Sequence, residues 1–320
     1  MSGQPLSRDD VVRAAETIRG RVRRTPLLDG SDVAPGLRLK AELLQHTGSF
    51  KARGVTNRLA AMSAEERTRG VAGASAGNHA IALAWGAARE GVDCVVYSWA
   101  AASPFKLDRA RALGARIDAE AEDPAGAFAG LEEHIAATGA TLVHPFDDPL
   151  VMAGQGTVGL EIVEDLPDVD VVLVPVGGGG LVSGIATAVK GAKPDARIVA
   201  VEPERSPALH ESLKAGEPVT VEAMSIADGL NGPYAGANCV HVCADLGVES
   251  VLVSEDALEE AFRFVYGRMK LACEVAGAAT TAALLEGRVE LEPGQTVAAV
   301  VSGGNVAPKT AAAILAADEG

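Results

Sequence analysis

Basic residues are in short supply. The chain carries 28 Lys and Arg against 43 Asp and Glu, a formal net charge of −15 and a pI of about 4.9. Phosphate-rich partners require clustered cations, so nucleic acid and anionic membrane surfaces are excluded as partners. Long apolar runs are missing too. No stretch reaches the roughly eighteen residues of a membrane span, and the opening MSGQPLSRDD lacks the apolar core of a secretory signal. A cytoplasmic protein is expected. Cysteine is sparse: three of Cys94, Cys239, Cys243 and Cys273 lie in apolar surroundings and read as buried, reduced thiols. Cys239, His241 and Cys243 recur with a spacing of two. That spacing predicts a strand with the three side chains on one face. With no fourth ligand nearby and no CxxC pair, it reads as structure and not as a metal site. The sequence holds no internal repeat and no low-complexity segment.

What is abundant is small and aliphatic. Apolar residues make up 48% of 320, enough for a large core divided over two lobes. The pattern predicts a helix over 7–23, capped by Ser7 with Asp10 three residues on. A strand over Leu37–Leu43 leads to a helix over Ala52–Ala61, and Ser63 with Glu66 caps another. Residues 67–141 alternate strand and helix, with strands at Val71–Ala74, Asp93–Tyr97 and Arg116–Asp118. This predicts a small α/β lobe at 67–141, while 1–66 and 142–320 form the larger one. In the larger lobe, strands are expected at Leu142–His144, Asp170–Val176, Arg197–Val201, Glu249–Val253 and Thr296–Ser302. Helices are expected at Gly154–Glu164, Leu181–Lys190, Ala208–Ala215 and Glu255–Ala276. The fold class is α/β, each lobe a mostly parallel sheet flanked by helices.

Four stretches carry chemistry. In HTGSFKARG (46–54), Gly48 permits a close backbone approach and Ser49 is placed to cap the helix that Lys51 opens. A lysine held so firmly at its root suits Schiff-base chemistry. In the second, Gly177, Gly178, Gly179 and Gly180 follow a buried strand and precede a helix. Consecutive N–H groups and a helix N-terminus make a phosphate cradle there. The spacing also passes loosely as GxGxxG, with Glu202 at the end of the next strand, so a nucleotide reading stays open. Ser75-Ala76-Gly77-Asn78-His79 lies between strand and helix and suits a carboxylate; His79 reads equally as a core histidine. Ser302-Gly303-Gly304-Asn305 ends a buried strand, where Ser302 suits a ring nitrogen. Ligands bind outside the carboxyl ends of parallel strands. Together the four would hold a phosphorylated aldehyde cofactor and an amino acid, and that cofactor is pyridoxal 5'-phosphate.

From about Thr25 to Val306 the chain resembles the serine/threonine dehydratase and serine racemase group of the tryptophan-synthase-β-like pyridoxal-phosphate enzymes. The resemblance rests on TGSFKARG (47–54), SAGNHA (75–80), HPFDDP (144–149), AGQGT (153–157), VPVGGGGL (174–181), VEPE (201–204), SIADGL (225–230) and SGGN (302–305). It implies a two-lobed fold with a large cofactor-binding domain and a small mobile domain on the substrate side. It implies Lys51 as the Schiff-base lysine, Phe50 against the ring and Asn78 on the phenolic oxygen. Gly177 to Gly180 and Leu181 would hold the phosphate, and Ser302 would face the pyridine nitrogen. Ser75, Ala76, Gly77, Asn78 and His79 would receive the substrate carboxylate. Threonine synthases and cysteine synthases carry different motifs at these positions. Serine racemases carry a second serine where Ala76 stands, so elimination is expected over racemisation. The group's divalent-metal site matches at Glu202 and at the Ser206 carbonyl, but Ala208 stands where an acid is required, so no metal is expected. With the chain ending at Gly320, feedback control through a regulatory domain is not expected either.

The implied activity is β-elimination of L-threonine or L-serine to a 2-oxo acid and ammonia. The alternatives are serine racemisation, or dehydration of another 3-hydroxy amino acid such as 3-hydroxyaspartate. The rival from another class is a binding protein without turnover. A small amino acid is the expected partner, and a homodimer the expected assembly.

Overall fold

The computed structural model describes residues 5–317. Ser7 opens α1 (Arg8–Ile18): its hydroxyl accepts from the Asp10 N–H, and the Asp10 carboxylate accepts from the Ser7 N–H at 2.9 Å. The helix stops before residue 23 because the chain turns at Gly20, whose φ is +72°. Strands β1 (Leu27–Asp29) and β2 (Leu37–Ala41) pair antiparallel. Helices α2 (Lys51–Ala60) and α3 (Ala64–Arg69) follow, the second with the expected Ser63–Glu66 capping box.

Next come β3 (Val71–Ala74), α4 (Asn78–Glu90), β4 (Cys94–Trp99), α5 (Pro104–Ala112), β5 (Arg116–Ala121), α6 (Pro124–Thr138) and β6 (Thr141–Leu142). These strands form one fully parallel sheet in the order β5-β4-β3-β6. Ala72 faces a core shared with Leu131 of α6, and Val71 faces one shared with Leu83 of α4, so the sheet is covered on both sides.

The chain then runs through α7 (Pro149–Asp165), β7 (Val171–Pro175), α8 (Gly180–Lys190), β8 (Arg197–Pro203), α9 (Ala208–Ala215) and α10 (Ala237–Asp245). It ends with β9 (Glu249–Val253), α11 (Glu255–Phe262), α12 (Val275–Leu285), β10 (Val297–Val301) and α13 (Pro308–Ala316). The second sheet has the order β1-β2-β10-β7-β8-β9, parallel except for β1. Its central strands are unbroken apolar runs because both faces are buried. Leu173, Val199 and Ala299 face one core with Ala279 and Ala282 of α12; Val172, Ile198 and Ala298 face the other with Val182 and Ile185 of α8.

Four local expectations are corrected. The strand expected at Leu142–His144 in the larger lobe is β6, Thr141–Leu142, which pairs with β3 and so belongs to the small sheet. The Cys239–Cys243 segment is helical, not extended. Gly236 precedes α10, and the Asp147 carboxylate accepts from the Asn238 N–H at 3.0 Å, which starts the helix. Cys239 and Cys243 then share the buried face one turn apart, and His241 points outward. The single helix expected over Glu255–Ala276 is broken. α11 ends at Phe262, a π-helical turn spans Arg263–Arg268, and Lys270 at φ +61° leads the chain out before α12 begins at Val275. The break delivers Glu274 to the pocket described below. Ser49 does not cap α2. It is extended, its backbone bridges to Gly303, and its buried hydroxyl has no partner among the described residues. The loop is held by the Phe50 N–H, which donates to the Ser302 carbonyl at 3.2 Å.

Candidate active site

The loops after β3, β7 and β10, with the start of α2, open into one cavity of about 490 Å³. Phe50, Lys51, Ser75 to His79, Gly177 to Leu181 and Ser302 all line it. Every residue expected at the site from the sequence, except Glu202, is therefore brought together.

Lys51 is the first residue of α2. Its ammonium donates to the Pro145 carbonyl at 2.7 Å and lies 5.1 Å from the Phe50 ring centre. Burial pushes its pKa down to about 8, and Cys239 offsets a little of that. Two residues on, Arg53 anchors the helix. Its guanidinium donates to Glu42 at 2.8 Å and to Glu161 at 2.7 and 2.9 Å, and Lys40 adds a 2.6 Å contact to Glu161. Two cations and two carboxylates are buried here as a balanced set, so none is left uncompensated.

The glycine loop is shaped by sterics. A side chain on Gly178 would fall 2.3 Å from the Phe146 ring, and Gly179 has φ +94°. Among the described residues, no acceptor takes the N–H groups of Gly177, Gly178 or Gly179. They stand at the N-terminus of α8, where the helix dipole adds to them.

In the second loop the Ser75 N–H extends the small sheet to the Tyr97 carbonyl, and the Ser75 hydroxyl accepts from the Gly77 N–H. Asn78 starts α4, so the first N–H groups of that helix open toward the cavity. The His79 ring is engaged elsewhere. Its Nε2 donates to the Val143 carbonyl at 2.8 Å, and burial followed by the Lys51 charge pushes it down to about 3. It is a neutral buried ring, which leaves its main-chain N–H to the pocket. The Ser302 hydroxyl, at the end of β10, takes no protein partner among the described residues although the residue is almost fully buried.

Glu202 lies outside the cavity. Its oxygens accept from the N–H groups of Leu209 and His210 at 2.7 Å each, so it serves the start of α9. Burial raises it to about 8. No cluster of three His, Cys, Asp or Glu fit to hold a metal exists among the described residues.

Several lining residues lie outside the four stretches singled out for their chemistry, although Asp228 falls within SIADGL and Phe146 within HPFDDP. Asp228 and Glu274 both border the cavity, and Lys106 reaches them from α5 with 2.8 and 2.9 Å contacts. A lone lysine three residues after Ser103 looks like any solvated charge. Phe146 stacks edge-on between His144 and Tyr234 and forms one wall. Trp99 and Phe128 line it from the small-sheet side.

A family model described as pyridoxal-phosphate dependent enzyme matches residues 18–303. The L-threonine ammonia-lyase of Geobacter sulfurreducens is 41% identical over 310 residues, covering 95% of this chain and 77% of that one. A catabolic L-threonine dehydratase of Staphylococcus aureus is 38% identical over 309 residues, covering 94% and 89%. Among solved structures, maize serine racemase superposes with a TM-score of 0.92 at 31% identity, covering 98% of both chains. A T.th. threonine deaminase gives 0.87 at 37% identity, covering 94% of this chain and 99% of the other. A lysine at the root of a helix, sharing a cavity with a glycine loop whose N–H groups are unspent, thus has its explanation: this chain belongs to the family of pyridoxal-phosphate dependent enzymes.

Proposed function

We propose that this chain catalyses the pyridoxal-phosphate-dependent β-elimination of L-threonine and L-serine, releasing a 2-oxo acid and ammonia. The observation that carries the reading is one cavity holding a low-pKa amine, two sets of unspent N–H donors and a free serine hydroxyl.

The residues fit the cofactor. The N–H groups of Gly177 to Gly179 lack acceptors, which suits a phosphate. The Ser302 hydroxyl is neutral and unpartnered, which suits a ring nitrogen that stays unprotonated. When bound, the cofactor draws electrons from the substrate's amino-bearing carbon and acidifies its C–H. Lys51, held by Pro145 and lowered by burial, exchanges that proton as the base at Cα. The N–H groups of Ala76, Asn78 and His79 fix the substrate carboxylate and so orient the C–H. The proton lost from Cα and the β-hydroxyl leave together as water in net terms, and hydrolysis of the resulting enamine consumes one water and frees ammonia.

The amine of Lys51 must be neutral to take up the cofactor. With a pKa of about 8, roughly a tenth is neutral at pH 7 and most is neutral at pH 9. The rate of cofactor loading into apo-protein, followed by its visible band, therefore rises through pH 8 and levels off above it. A rate still climbing toward pH 10.5 would contradict this.

The cavity favours neutral substrates. Asp228 and Glu274 border it, Lys106 offsets one of their two charges, and Lys51 is the one cation lining it among the described residues. A second substrate carboxylate would meet like charge in a partly desolvated site. L-threonine and L-serine should be turned over at least ~100-fold better in kcat/KM than 3-hydroxyaspartate, read as 2-oxo acid formed. Preferential turnover of 3-hydroxyaspartate would reverse the assignment.

Racemisation is the second reading, favoured by the superposition on maize serine racemase. It requires a base on the face opposite Lys51, and Ala76 offers none. Ala76→Ser should raise D-serine formation relative to pyruvate; an unchanged ratio would remove position 76 as the determinant.

A further inference from the structure

Lys106 is buried, and its ammonium donates to both Asp228 oxygens at 2.9 and 2.8 Å and to Glu274 Oε2 at 2.9 Å. The other Glu274 oxygen accepts from Asn78 Nδ2. Asn78 Oδ1 accepts from Asn305 Nδ2 at 2.7 Å, and the same Nδ2 donates to the Thr47 carbonyl at 2.8 Å. Asn305 Oδ1 accepts from Arg109.

An amide side chain can flip, and its orientation follows from its neighbours. Here each end of the chain is a group with a single hydrogen-bonding sense. Arg109 only donates, the Thr47 carbonyl only accepts, and an ionised Glu274 only accepts. Asn305 can therefore face one way only, and so can Asn78. Glu274 takes one hydrogen of Asn78 Nδ2, and the other is left for the cavity that Asn78 lines. Arg109 and the Thr47 carbonyl already orient Asn305, and Asn305 in turn orients Asn78; the Glu274 carboxylate, held by Lys106, fixes where the Asn78 amide sits.

Lys106 and Arg109 sit three residues apart on α5, hence on one face, and α5 belongs to the small-sheet side. Asp228, Glu274 and Asn305 all come from the chain that builds the large-sheet side. We propose that Lys106 is a positioning residue: docked against Asp228 and Glu274, it locks α5 over the cavity and fixes the Asn78 amide with one N–H presented to the cofactor oxygen. This rests on the pyridoxal-phosphate reading of the site but not on which amino acid is turned over.

The test compares holoenzyme of the wild type with Lys106→Met, Lys106→Arg and Glu274→Gln. The readouts are the absorption maximum of the bound cofactor, hydrogen exchange across 104–112, and KM and kcat for L-threonine. Lys106→Met should shift the absorption maximum, speed exchange in α5 and raise KM at least about tenfold. Lys106→Arg, which keeps the charge, should restore the maximum toward wild type. Glu274→Gln keeps the volume but replaces the accept-only group, and should shift the maximum with Lys106 intact. A wild-type maximum and wild-type α5 exchange in Lys106→Met would overturn the proposal. Should that variant not fold, an unshifted maximum in Glu274→Gln would overturn it. Wild-type protein that leaves L-threonine unchanged would refute the dehydratase reading, and the spectral and exchange outcomes would then decide the role of Lys106 alone.

Discussion

Lys51→Ala should abolish both the visible band of the bound cofactor and turnover, with kcat falling at least ~10⁴-fold. Two roles are lost together. The amine is the only lining group among the described residues whose pKa lies near neutrality and whose chemistry suits a covalent link to an aldehyde. In the proposed elimination it is also the base at Cα. The fold should survive, because Lys51 contributes one hydrogen bond to Pro145 while the Arg53 cluster holds α2 independently. Circular dichroism and thermal melting of the apo-protein should therefore match wild type. The proposed phosphate loop is untouched, so the variant should still bind the cofactor non-covalently, and borohydride should fix none of it. Retention of the wild-type band and rate would dismantle the site assignment.

Gly178→Ala should weaken cofactor binding by about 2 kcal/mol, roughly 30-fold in Kd. The new methyl group would lie 2.3 Å from the Phe146 ring. That ring cannot swing freely, because His144 packs at 4.6 Å and Tyr234 at 5.5 Å between ring centres. The loop must shift instead, and its N–H groups lose their common focus. Equilibrium titration of apo-protein with pyridoxal phosphate measures the loss. Unaltered affinity would mean that the phosphate is held elsewhere.

The glycine run and the SAGNH loop are legible in the sequence because their chemistry is a matter of backbone. A buried strand, several glycines and a helix start define donors without any knowledge of long-range contacts. The same holds for Val71–Ala74, Ala208–Ala215 and Glu249–Val253, where strand or helix bounds agree with the pattern to the residue. Ser49 misleads because a serine before a helix resembles a cap, whereas its backbone is taken by Gly303, far downstream. The Cys239–Cys243 segment misleads because five apolar and polar residues fit a period of two as well as one helical turn; Asp147, far upstream, decides it. The Lys106–Glu274–Asn78–Asn305 chain is illegible for a similar reason. Asn78 and Asn305 stand in loops already singled out, but Lys106 and Glu274 are each an ordinary charged residue in the sequence, and nothing in the pattern joins the four. Only the break between α11 and α12 brings Glu274 to the pocket, and π-turns leave no period to read.

The most direct test of the proposed elimination is product analysis with L-threonine. Wild-type protein loaded with pyridoxal phosphate is incubated beside the Lys51→Ala variant, and 2-oxobutanoate and ammonia are measured together over time. Equal amounts of the two products are expected from the wild type, and none above background from the variant. Loss of threonine without 2-oxobutanoate, or equal product from both proteins, would contradict it.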